Sequence, residues 1–134
     1  MNGPQGARRA NAVVTLVLAI VGLAACGPTL GTTASTAVVA EPGSPSITAR
    51  DLRFDRTELV VPAGRAFTIV FDNEDGAPHD VAIYDDQAAQ ASRFIGEIFG
   101  GPASRTYAVP ALAAGTYFFR CDMHHDMHGT VVAR

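Results

Sequence analysis

The chain has 134 residues but no Trp and no Lys, so all ten of its basic side chains are Arg. It has only two Cys and four His. No run of basic residues stands out, and the net charge is −3, so the electrostatic footprint of a nucleic-acid binder is missing. There is no internal repeat and no long amphipathic helical pattern, which excludes solenoids and helical bundles. The Gly-Gly-Pro at 100–102 is followed by neither Lys nor a helix signal, so it reads as a turn and not as a phosphate loop. What remains is 48% hydrophobic and 17% charged, the balance of a globular protein large enough for one small domain.

The first residues read as a delivery segment. Arg8 and Arg9 precede a nearly unbroken apolar stretch over 11–25. That stretch is short of the roughly 20 apolar residues of a membrane span and matches the hydrophobic region of a signal peptide. It ends in Leu23-Ala24-Ala25-Cys26, which resembles the lipobox of bacterial lipoproteins. The resemblance implies cleavage after residue 25, lipid on Cys26 and attachment to the extracytoplasmic face of a membrane. The residues around the Arg pair fit a twin-arginine export signal poorly. Residues 26–45 are small, polar or Pro/Gly, with one charge, and read as a flexible tether. A chain of that length has a mean span of roughly 20–25 Å.

Residues 46–134 read as all-β. Strands are expected over 47–54, 58–61, 66–71, 80–84, 94–99, 105–109, 115–121 and 129–133, with one helical turn over the Ala-rich 85–92. Residues 72–78 form a cluster of turn formers. Short strands punctuated in this way argue for a sandwich or barrel. Phe67, Ile69, Phe71, Tyr117 and Phe119 are expected in its core. This part carries 12 acidic and 8 basic residues, a mild excess that says little about partners.

Cysteine usage now sharpens the question. With Cys26 lipidated, Cys121 has no disulfide partner in the chain, and a lone thiol in an exported protein needs a role. Cys121 opens Cys-Asp-Met-His-His-Asp-Met-His-Gly, a thiol, three imidazoles and two thioethers ending at Gly129. The fourth His, His79, follows Pro78 upstream. Thiolate and imidazole suit copper or zinc, and a thioether favours copper; two His, one Cys and a weak axial Met is the blue-copper donor set. Residues three and six beyond Cys121 lie about 10 and 20 Å away on an extended chain, so the loop must curl to share one ion. A Cys protease needs a helix-borne thiol and an oxyanion hole, which a strand-end Cys does not supply. A closed zinc site prefers paired Cys/His spacings. A binuclear copper centre needs a second Cys in the loop, and an oxidase needs further His clusters. The residues alone leave His124 and His125, and Met127 and Met123, as competing donors.

Asp72-Asn73, Pro78-His79-Asp80-Val81 and the stretch 115–129, with its Cys-X2-His-X2-Met spacing, resemble the cupredoxins, the plastocyanin- and amicyanin-like blue copper proteins. The resemblance covers about 46–134. It implies a Greek-key β-sandwich and one type 1 copper ion, with His79, Cys121 and His124 as equatorial ligands and Met127 as the axial one. It leaves His125 and His128 facing away, and places His124 at the surface beside Ala77, Pro78 and Met123. The implied function is not enzymatic: a monomer carrying single electrons between redox partner proteins. The alternative is an extracytoplasmic protein for copper storage, resistance or delivery, motivated by Met123, His125 and His128. Two departures stand out. Asp80 takes the place of a common Asn, adding a potential negative charge beside the metal, and His125 stands where such loops often have Pro.

Overall fold

The computed structural model describes residues 38–134. The signal peptide over 1–25, the lipidation site Cys26 and the first part of the tether lie outside the described residues. Within them the chain folds into strands alone.

The strands are β1 Ser46–Arg50, β2 Arg53–Phe54, β3 Glu58–Val61, β4 Phe67–Asn73, β5 Pro78–His79, β6 Ala82–Tyr84, β7 Ser92–Ile95, β8 Phe99–Gly100, β9 Ala103–Val109, β10 Gly115–Arg120 and β11 His128–Ala133. They form one sheet in the order β2-β1-β4-β9, a second in the order β3-β11-β10-β6-β7, and a small β5-β8 ribbon. β1 runs parallel to β4 and β3 parallel to β11. The period-2 alternation of β4 is the reason for the sandwich: Phe67, Ile69, Phe71 and Asn73 all point inward. The three apolar residues share one core cluster with Leu59 and Val61 of β3 and Val131 of β11 from the other sheet.

Aromatic rings fill the middle. Phe71 packs on Phe99 with ring centroids 5.4 Å apart and on Tyr107 at 5.9 Å, while Phe54 bridges Phe71 and Phe119. Phe71 and Phe119 are fully buried. Deleting a ring of this kind costs about 3–5 kcal/mol, so this cluster contributes substantially to stability. Tyr117 is only partly buried against the core, and its hydroxyl donates to the Ala113 carbonyl.

Three sequence expectations need correcting. The strand expected over 47–54 breaks at Asp51 and Leu52, which both take left-handed backbone angles (φ 52° and 56°) and reverse the chain. The strand expected over 94–99 divides into β7 and β8, because the Gly96 amide bonds the Val81 carbonyl and Gly96 lies against the Tyr107 ring. Residues 85–92 hold no helix; Asp86 closes a single turn by accepting the Ala89 amide on its carbonyl and the Ala88 amide on its carboxylate. Ordered contacts also begin ahead of residue 46: Glu41 donates its amide to Thr68, and the Pro45 carbonyl accepts the Val70 amide.

Candidate metal centre

The site forms where the end of β4, the β5-β8 ribbon and the loop after β10 meet. β4 ends at Asn73, which is 1% exposed and uses its whole side chain. Its amide donates to the carbonyls of Ala77 (2.9 Å) and Phe99 (2.8 Å), and its oxygen accepts the Asp75 amide (2.9 Å). The turn over 74–78 is thereby pinned, and it hands His79 to β5. Pairing of β5 with β8 then sets His79 opposite Phe99.

On the other side β10 delivers Cys121, and the loop closes on itself. The Cys121 amide donates to the Met127 carbonyl and the Met127 amide to the His124 carbonyl, both at 2.9 Å. These two bonds produce the curl that the spacing demanded. Met127 is brought back beside Cys121 and is buried, at 2% exposure. A third bond ties the loop to the His79 side, since the Asp122 amide donates to Asp80 Oδ1 at 2.8 Å.

The donors converge. His79 Nδ1 lies 3.6 Å from Cys121 Sγ and 3.1 Å from His124 Nδ1, and Cys121 Sγ lies 3.8 Å from His124 Nδ1. Among the described residues His79, Cys121 and His124 form the one cluster able to hold a metal ion. An ion about 2.0–2.1 Å from nitrogen and 2.3 Å from sulfur, at the centre of such a triangle, needs edges of about 3.5–3.8 Å. The triangle is close to that size before any ion enters, with the two imidazoles slightly too near each other. With a buried thioether supplied by Met127, the donor set is that of a type 1 copper site and fits one copper ion. His79 and Cys121 are fully buried, while His124 is partly exposed.

The other candidates fall outside the cluster. His125 and His128 are exposed, and His128 Nδ1 donates to the His125 carbonyl while its ring stacks near Phe118. Met123 is 51% exposed. Tyr84 and Arg120 brace the loop from β6 and β10: the Tyr84 hydroxyl and Arg120 Nε both donate to the Asp122 carboxylate. Sequence reasoning passed over Asp122, and it also passed over Asp75, whose Oδ2 accepts His79 Nε2 at 3.1 Å. The signal for Asp75 was a carboxylate four residues ahead of His79 within the turn cluster.

Burial dominates the electrostatics. It raises the Cys121 thiol above its ordinary value, against the pull of neighbouring amides, so the metal-free site holds a neutral thiol that must release its proton when metal binds. Asp75 is lowered, chiefly by the Leu52 amide, and stays ionised. Asp80 is raised, chiefly by burial, and its Oδ2 has no hydrogen-bond partner. The negative charge that Asp80 threatened to place beside the metal is therefore opposed by its own surroundings.

Asp80 carries a pH-dependent prediction. In the metal-free protein the folded state keeps this proton to higher pH than the unfolded chain, so rising pH through that window favours unfolding. Asn at 80 does not titrate. Asp80→Asn keeps a polar group at that position but removes its charge, so it should be more stable than the parent by about 1–3 kcal/mol at neutral pH, the cost of holding a charge in a buried, unpartnered place. The gap should close as pH falls below the ordinary carboxylate value. Urea unfolding of the two metal-free proteins across pH 3–8 checks this, and a constant gap would remove Asp80 as its source.

Comparisons with known proteins agree with this architecture. The sequence matches the family described as "Cupredoxin-like domain" over residues 15–133. No curated protein matches it. Among solved structures, dithionite-reduced auracyanin from the photosynthetic bacterium Roseiflexus castenholzii is similar at a TM-score of 0.61 and 22% identity, covering 72% of this chain and 99% of that one. Auracyanin A of Chloroflexus aurantiacus, a blue copper protein, is similar at 0.59 and 24%, covering 68% and 98%. Amicyanin from Paracoccus versutus is similar at 0.55 and 23%, covering 71% and 85%. At these identities the likeness speaks for the fold.

Proposed function

This chain belongs to the cupredoxin-like domain family, and from that premise we propose that it is an exported type 1 copper protein carrying single electrons between redox partner proteins. The observation that carries the reading is the convergence of His79 Nδ1, Cys121 Sγ and His124 Nδ1 in one buried triangle. His79, Cys121 and His124 would hold the ion, with Met127 as its weak fourth ligand. Bound copper supplies a one-electron couple at this position.

The remaining work belongs to the protein. Asn73, the loop bonds from Cys121 to Met127, and the Asp122–Asp80 bond hold the donors in place from two sheets, so little rearrangement is needed between oxidation states. The fully buried His79 and Cys121 keep water from the donors. Partly exposed His124 is the donor that a partner reaches, through an edge shared with Pro78 and Met123, both exposed. The lipid on Cys26 would hold this domain near partners at the extracytoplasmic face of the membrane. Cells fed a labelled fatty acid should label the parent but not Cys26→Ser; label that persists in Cys26→Ser would remove this anchor from the account.

The competing assignment is copper storage or delivery. Repeated chemical reduction and oxidation in the presence of a metal-free acceptor separates the two. A carrier keeps its copper through many cycles, whereas a delivery protein gives it up within a few.

A further inference from the structure

His79 has two ring nitrogens and both are engaged. Nδ1 faces Cys121 and His124; Nε2 faces Asp75 Oδ2 at 3.1 Å. An ionised carboxylate can only accept, so Nε2 carries a proton, and in the neutral ring Nδ1 then presents its lone pair to the site. The other tautomer would set a lone pair on Nε2 against a carboxylate oxygen.

Asp75 is itself held from a distant part of the chain. Its Oδ1 accepts the Asp51 amide at 2.8 Å and its Oδ2 accepts the Leu52 amide at 3.0 Å. Both residues have left-handed backbone. That conformation is unfavourable for residues other than glycine, and hydrogen bonds to a charged acceptor offset the cost. The strained turn and the carboxylate therefore stabilise each other. The side chain of Asp75 is 17% exposed and that of His79 is 0%, so the contact is largely shielded from water.

We propose that Asp75, fixed by the Asp51–Leu52 turn, is a positioning residue that sets the tautomer and orientation of His79 and biases the bound metal toward its more oxidised state. The inference rests on the copper reading above. A metal-bound imidazole that donates to a carboxylate becomes a stronger base and shares the carboxylate's negative charge, which favours Cu(II) over Cu(I). The simpler alternative is that Asp75 merely caps the Asp51–Leu52 turn and touches His79 by proximity.

Imidazole nitrogen NMR and redox titration distinguish them. In the metal-free parent, His79 should show a protonated Nε2 and a bare Nδ1. Asp75→Asn keeps an acceptor for Nε2 but removes the charge. It should keep the tautomer and shift the Cu(II)/Cu(I) equilibrium about tenfold toward Cu(I), a rise of ~59 mV for one electron. Asp75→Ala removes the acceptor as well, so its metal-free His79 should show mixed tautomers and its Cu(II) affinity should fall about 10–100-fold. A parent His79 protonated on Nδ1, or folded Asp75→Asn and Asp75→Ala proteins with the parent's potential, would overturn the inference. Absence of a copper chromophore in the parent would overturn the reading beneath it, while the nitrogen shifts still decide the tautomer role of Asp75.

Discussion

Gly101→Ala is expected to cost the metal-free domain about 3 kcal/mol or more, which for a domain of this size is a fall in Tm of roughly 12–24 °C. A Cβ on Gly101 would lie 2.1 Å from the Asn73 carbonyl oxygen and 2.6 Å from that of Asp75. Both are backbone atoms, so no side chain can swing aside. The Gly101 amide also donates to the Asp75 carbonyl at 3.0 Å, which fixes the approach. The segment that would have to move runs from Asn73 through Asp75 to His79, so copper affinity should fall together with stability. The neighbouring Gly100→Ala is the internal control. Its Cβ meets nothing nearer than the Gly76 carbonyl oxygen at 3.5 Å, and Gly100 is exposed. That change should stay within about 0.5 kcal/mol. Thermal unfolding of the three metal-free proteins reads the difference, and equal melting temperatures would contradict the crowding at Gly101.

Cys121→Ser should abolish the visible chromophore completely while leaving the metal-free fold within about 1 kcal/mol of the parent. The thiol is fully buried at the edge of the core beside His79 and His124, and the neighbouring amides that act on its sulfur can equally reach a hydroxyl oxygen. A hydroxyl is smaller and offers a hard oxygen in place of a soft, polarisable thiolate, so the charge-transfer transition from sulfur to copper has no donor. Residual Cu(II) held by the two imidazoles should be nearly colourless. Absorption spectra of the copper-loaded pair check this directly; a surviving intense band in the Ser variant would mean that Cys121 is not bound to the metal.

These expectations differ in how readable they were. His79, Cys121, His124 and Met127 stood out because thiols, thioethers and imidazoles are scarce in this chain and their spacing has few uses. Most strands were equally plain, since Phe67, Ile69 and Phe71 alternate as a half-buried strand must; β3 lies where expected, at Glu58–Val61. The reversal at Asp51 and Leu52 was hidden, because no Gly or Asn announces a left-handed pair there. Asp75 was hidden for a related reason. It is one of three acidic residues in the turn over 72–75, and only the fold shows that Asp75, not Asp72 or Glu74, reaches both the turn amides and His79. Gly101 read as an ordinary turn residue, although its importance lies in how closely two carbonyls of another segment approach it. Local chemistry marked the metal ligands, while long-range packing decided what holds them.

Titration of the metal-free protein with Cu(II), followed by visible absorption, tests the central claim most directly. The predicted result is an intense blue thiolate-to-copper band that grows linearly, saturates at one ion per chain and disappears reversibly on reduction. A colourless Cu(II) complex would contradict the assignment of His79, Cys121, His124 and Met127 as one type 1 copper site.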